Sequence, residues 1–135
     1  MKFLTSVLIL SFSFIANIAF AADAAVPFQD AAKYYNQTKT VEGTVVGTFC
    51  DDKMCFLNFD KDYHKYLSAV IMAADFAKFS KASGKAVKAD LDKMYVGKKV
   101  QITGKLNEYK GKDPAQPGRP QIAVTDATAV KVLTK

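Results

Sequence analysis

Residues 41–60, VEGTVVGTFC-DDKM-CFLNFD, constrain the fold of this chain more than any other stretch. Val41, Gly43, Val45, Gly47 and Phe49 alternate with Glu42, Thr44, Val46, Thr48 and Cys50, a period of two that marks a strand over residues 40–50. Residues 51–54 supply a polar turn, and residues 55–60 return antiparallel. Such a hairpin sets Cys50 directly opposite Cys55, at a separation that a disulfide can bridge. They are the only two cysteines in the chain. Glycine weakens an ordinary strand, but Gly43 and Gly47 would let this one coil sharply enough to serve two sheets.

The return strand poses a problem of phase. If Val45 and Phe49 point inward, simple pairing turns Phe56 and Asn58 inward and Cys55, Leu57 and Phe59 outward. Burying Asn58 while exposing Leu57 and Phe59 is unfavourable in a bare barrel. Three resolutions stay open. A bulge resets the alternation, an N-terminal helix covers Leu57 and Phe59, or the two form a binding platform.

The 135 residues suit one domain with one core. Residues 1–21 read as a signal peptide: Lys2 gives a short basic start, residues 3–20 are almost wholly apolar, and Ala19-Phe20-Ala21 is an A-x-A cleavage site. An uncleaved anchor is the alternative, although no basic stop-transfer flank follows. The expected address is periplasmic or secreted, without a stable membrane anchor after cleavage. There an even pair of cysteines reads as a disulfide, Cys50–Cys55. Its loop is short, so it pins register more than it restricts the unfolded chain.

Residues 22–38 read as a tail and a short helix over 29–37, with Asp30 as cap and Ala31, Tyr34 and Tyr35 at helical spacing. A barrel domain follows over residues 39–135. Its third strand is expected at 66–73, a helical turn carrying Phe76 and Phe79 at 75–79, and a helix at 87–95 stopped by Gly97. A fourth strand is expected at 99–109. Residues 110–120 hold three of the four prolines and must be a loop. Residues 121–134 supply a fifth strand and a short return. The order predicts an all-β fold with short helices: a five-stranded OB-fold Greek-key barrel, with a helix between strands 3 and 4 and a short N-terminal helix.

The segments VEGTVV, CFLNFD, LSAVI, MYVGK, VQITGKL-EYKG and RPQIAVTD resemble a family of small exported bacterial OB-fold domains, itself similar to nucleic-acid-binding OB-fold proteins. The resemblance spans roughly residues 31–133. It implies the OB barrel and a nucleic-acid ligand as its functional expectation. The chain departs from the pattern in two loops: the cysteine pair replaces a plain turn, and DPAQP lengthens the segment before Gly118-Arg119-Pro120.

Nothing in the chain spells out catalysis. His64 is the single histidine, no Ser-His-acid grouping or GxxxxGK occurs, and Asp51-Asp52 and the sole arginine, Arg119, fall in separate loops. The expectation is a non-enzymatic protein without a cofactor. Cys50, Cys55, Asp51, Asp52 and His64 place soft and hard ligands near one loop, yet the cysteine spacing is outside short zinc knuckles and the compartment favours oxidation. No metal is expected, and His64 reads as a solvated loop residue.

Single-strand binding on an OB face needs aromatic platforms and a basic track. The candidates are Phe56, Phe59, Tyr63, Tyr66 and Tyr109 for stacking, Lys53, Lys65, Lys105, Lys110, Lys112 and Arg119 for phosphate, and Asn58 beside them. Lys53 lies in the loop between strands 1 and 2, and Lys110, Lys112 and Arg119 in the loop between strands 4 and 5; OB folds grip their ligands with these two loops. After signal cleavage the chain carries 18 basic and 13 acidic side chains, a net charge of +5. That favours single-stranded nucleic acid or another polyanion. All but one of the basic residues are lysine, which also suits a merely solvated surface. The alternative is an envelope module that binds a protein, glycan or small ligand without nucleic-acid affinity. Fold alone does not separate the two.

Overall fold

The computed structural model describes residues 24–133; the expected signal peptide lies outside them. In chain order the strands are β1 (Val26–Pro27), β2 (Thr38–Thr44), β3 (Gly47–Cys50), β4 (Met54–Asn58), β5 (Ser68–Met72), β6 (Lys99–Tyr109), β7 (Arg119–Ala123) and β8 (Val130–Val132). One α-helix, α1 (Val87–Tyr95), separates β5 from β6, and short 3-10 helices fill several connections. The strands form one mixed sheet in the order β1-β2-β6-β7-β5-β4-β3, with β8 paired to β6 off that path. Pairing is antiparallel except for β1–β2 and β5–β7.

Five strands closed into a barrel are the expectation; the sheet has eight segments and its ladder is open. The expected first strand is in fact two, because β2 and β3 stand far apart in the sheet order while only Val45 and Val46 separate them in the chain. Val45 exchanges backbone hydrogen bonds with the α1–β6 connection: its N–H donates to Lys98 O (3.1 Å), and its carbonyl accepts from Gly97 N–H (2.8 Å). Val46 turns the other way and donates its N–H to Asn58 O at 2.9 Å. A single run of chain thus serves both ladders and curls the sheet around one core.

The same partner change settles the phase. Val41, Gly43 and Val45 are buried on one side of it, whereas beyond it Cys50 is buried and Phe49 is 55% exposed. One residue is slipped, as at a bulge. In the observed register Phe49 faces Phe56 and Cys50 faces Cys55, where the disulfide joins them. Cys55, Leu57 and Phe59 therefore point into the core, and Phe56 and Asn58 point out. Cover contributes as well: the Phe28 ring stacks on Phe59 with centroids 5.7 Å apart. Phe59 is 2% exposed, which removes it from the expected binding platform.

Gly43 owes its place to that stacked pair. A Cβ there would lie 2.7 Å from both the Phe28 and Phe59 rings, whereas one on Gly47 would meet nothing within 4 Å. The run serves two ladders as expected, and at Gly43 close approach to the ring pair is a further requirement.

The N-terminal segment is more ordered than a tail. Val26–Pro27 pairs with β2, and the expected helix is a 3-10 helix over Phe28–Tyr34 that buries Ala31. Asp30 does not cap it; its carboxylate pairs with Lys33 at 3.1 Å. Helix α1 falls on the predicted residues. Val87, Leu91 and Tyr95 recur every fourth position and are buried, and Gly97, at φ +79°, permits the reversal into β6. Asp92 ties α1 to β3 by accepting from the Thr48 hydroxyl. Burial raises its pKa, but bonds from Lys88 and Thr48 outweigh that and hold the carboxyl below the usual range.

Candidate nucleic-acid interface

The outward residues of β3, β4, β5, β7 and β6 form one face, and the registers arrange them in cross-strand rows. Phe49, Phe56, Val70 and Ala123 make an apolar row. Asn58, Ser68, Gln121 and Asn107 make a polar row beside it. Arg119 and Tyr109, paired across β7 and β6, begin a third. Strand rise separates the first row from the third by about 13 Å, with the polar row between. Alternation in β4 and β6 produces this pattern, because the same strands send Leu57, Ile102 and Leu106 inward.

Two adjoining clefts are cut into the face. The first, about 400 Å³, is lined by Thr48, Phe49, Phe56, Asn58, Tyr63 and Arg119. The second, about 260 Å³, is lined by His64, Tyr109, Lys112 and Arg119, together with Gly111, Asp113, Gln116 and Pro117 of the long proline-bearing loop. Arg119 belongs to both. Its guanidinium lies over the Tyr109 ring, 5.2 Å from the centroid, and donates to the Tyr63 carbonyl. The Tyr63 and His64 rings lie 4.4 Å apart, tilted by 40° to each other. The Phe49 and Phe56 rings lie 6.4 Å apart and present an aromatic floor that is open to solvent at Phe49. Between them and Arg119, Asn58 accepts a hydrogen bond from Ser68 at 2.8 Å.

The expected site residues divide in four. Phe56, Asn58, Tyr63, Tyr109, Lys112 and Arg119 come together in the clefts. Lys105 and Lys110 are exposed, on β6 and just beyond it, and lie outside the cleft linings. Lys53 sits in the β3–β4 turn at the other end of the strands, about 20 Å of strand from Arg119. Phe59 is core; Tyr66 is half-buried, packs edge-on against Phe28 with centroids 5.8 Å apart, and carries the exposed Lys65 ammonium 5.2 Å from its ring centroid, outside both clefts.

Thr48, Phe49 and His64 line the clefts without having been expected there. Phe49 was hidden by the slip at Val45–Val46, which reversed its assigned direction. For His64 the only signal is its place next to Tyr63 in a polar loop beside a predicted binding edge. The two cysteines are spent in the disulfide, which removes the soft ligands from the Asp51, Asp52 and His64 neighbourhood. Among the described residues no group of three His, Cys, Asp or Glu side chains could hold a metal ion.

The β3–β4 turn is built by Asp51. Its carboxylate accepts from the N–H groups of Lys53 (2.7 Å) and Met54 (2.9 Å), while its own N–H donates to Met54 O at 3.0 Å. The hydrogen bonds from Lys53 and Met54 hold the Asp51 carboxyl below the usual carboxylate range.

No protein-family model and no curated protein matches the chain. Solved structures do. An aspartyl tRNA synthetase from Entamoeba histolytica superposes with a TM-score of 0.52 at 18% identity, covering 82% of this chain and 21% of the synthetase. The asparaginyl-tRNA synthetase of the same organism gives 0.50 at 20% identity, over 83% of this chain and 24% of its own. The chain thus spans about a fifth to a quarter of the length of these proteins. At such identity the likeness concerns the fold: mostly β, OB-like, with a mixed sheet and few short helices.

Proposed function

We propose that this chain is an exported, non-enzymatic OB module that binds single-stranded nucleic acid across the face described above. The observation that carries the reading is the alternation of an aromatic row, a polar row and an Arg119–Tyr109 pair within two adjoining clefts. Aromatic rings stack on bases of any sequence, and Lys112 and Arg119 can neutralise phosphates beside them. The solved neighbours are named for tRNA, which agrees in ligand class. Arg119 is pre-positioned by Tyr63 and Tyr109 and loses little freedom on engaging a ligand.

The test is an anisotropy titration of the mature protein with labelled single-stranded oligonucleotides at two salt concentrations. Binding is expected to weaken steeply with salt, and Phe56→Ala is expected to cost about 1–3 kcal/mol of affinity while leaving the protein folded. No binding at low salt would transfer the face to the envelope-module reading, with a protein or glycan as ligand. Export has its own check. The protein from periplasmic or secreted material is expected to begin at Ala22, and retention of residues 1–21 would contradict cleavage.

A further inference from the structure

We propose that the cross-strand pair Met54–Met72 is a second base-stacking subsite, one that extends the face beyond the first cleft toward the β3–β4 turn and adds contact without charge. The inference rests on the nucleic-acid reading and goes beyond the two clefts, whose linings include neither methionine.

Met54 on β4 and Met72 on β5 are register partners. Each lies two residues along its strand from a member of the apolar row, Met54 from Phe56 and Met72 from Val70. Their chain neighbours Cys55 and Ile71 are buried in the core, so alternation turns both methionines onto the outward face. Met72 is 46% exposed, and Met54 is half-buried. The apolar part of the face therefore runs past the Phe49–Phe56 floor for one more row, about 7 Å along the strands. Its far end is fixed in place: Ala73 N–H donates to Lys53 O at 2.8 Å, which ties the residue after Met72 to the residue before Met54.

An apolar surface left open beside an aromatic floor is a surface that a ligand can cover. Methionine suits stacking without sequence preference, because its unbranched thioether conforms to a flat ring and gains a modest sulfur–aromatic attraction. Successive bases of a bound single strand stack on successive platforms. With one base on the Phe49–Phe56 floor, the next can reach Met54–Met72. Charge at this end is balanced. Asp51 turns its carboxylate onto the N–H groups of Lys53 and Met54, Asp52 lies beside Gly84, and the Lys53 and Lys85 ammonium groups offset the two acids. The subsite thus contributes stacking and releases no counterions.

The experiment combines two measurements on the mature protein. The first is anisotropy with fluorescein-labelled dT15 over a salt series, in the wild type and in Met72→Gln, which keeps the length of the side chain and removes the thioether. The substitution is expected to weaken dT15 about two- to tenfold and to leave the salt slope unchanged. The second is hydrogen peroxide footprinting read by peptide mass spectrometry, in which peroxide gives one oxygen to the thioether and leaves as water. Saturating dT15 is expected to slow sulfoxide formation at Met72 severalfold. Met94, half-buried on α1 and outside the face, is expected to oxidise at the same rate with and without dT15. Wild-type affinity in Met72→Gln, or an equal rate of Met72 oxidation in the free and bound protein, would overturn the subsite while leaving the clefts in place. Protection of Met72 that grows with protein concentration in the absence of oligonucleotide would also overturn it, and would assign the pair to contact between copies. Absence of dT15 binding to the wild type would overturn the nucleic-acid reading, and the subsite with it.

Discussion

Phe56 and Phe59 lie three positions apart and face opposite surroundings, one on the open face and the other stacked beneath Phe28. Truncating Phe59 to alanine is expected to lower stability by about 3–5 kcal/mol, read from urea unfolding. Phe56→Ala is expected to change stability by less than about 1 kcal/mol and to act on oligonucleotide affinity instead. The glycines contrast in the same way. Gly43→Ala forces a Cβ into the Phe28–Phe59 pair and is expected to cost about 1–3 kcal/mol. Gly47→Ala meets open space and is expected to be tolerated, with a melting temperature no lower than the wild type. A period-two pattern could not reveal these differences. The phase of Phe49, Phe56 and Phe59 depends on a slip between two adjacent valines, both good strand formers. Its cause is the bonding of Val45 to Gly97 and Lys98, some fifty residues later in the chain. Asn58 was recognisable as a candidate because of its company, but the bond from Ser68 that holds its amide depends on the β4–β5 register.

At the level of elements, those with strong local signals were legible to the residue. Helix α1 and strand β6 fall on Val87–Tyr95 and Lys99–Tyr109 as the apolar spacing and Gly97 imply. The two-residue β1 and the three-residue β8 carry too short a pattern to read, and they exist because β2 and β6 offer them edges. The β3–β4 hairpin owes its register to two devices, the disulfide and the Asp51 turn. Replacing both cysteines by serine is expected to lower stability by about 2 kcal/mol or less, since the closed loop spans only five positions of sequence. The Asp51 turn is pH-sensitive. Its carboxyl is depressed by the Lys53 and Met54 N–H groups, so its stabilisation is complete above the unfolded value of about 3.9 and fades as pH falls through the folded value. Asp51→Asn is expected to melt below the wild type at pH 7, with the gap closing toward pH 3. A gap independent of pH would remove the carboxylate from the account.

Across the whole molecule, one sheet curls around one core and leaves a single broad face on which aromatic, amide and cationic groups alternate. On the proposed reading, a net charge of +5 after the expected cleavage would supply weak attraction to a polyanion, and the clefts would supply the contact. The OB-like fold was readable because strand and helix order survive in the sequence. The extra strand segments and the open ladder were not, since both follow from pairings between distant residues. Engagement of Lys105, Lys110, Lys112 and Arg119 would involve about four phosphates. Because single strands release about 0.7 counterion per phosphate, the logarithm of affinity should then fall with the logarithm of salt at a slope of about −3. The direct measurement is that slope for dT15, in the wild type and in Arg119→Ala. A slope of about −3 is expected for the wild type, with a shallower slope and weaker binding in the variant. Salt-independent binding, or a slope and affinity untouched by loss of Arg119, would contradict it.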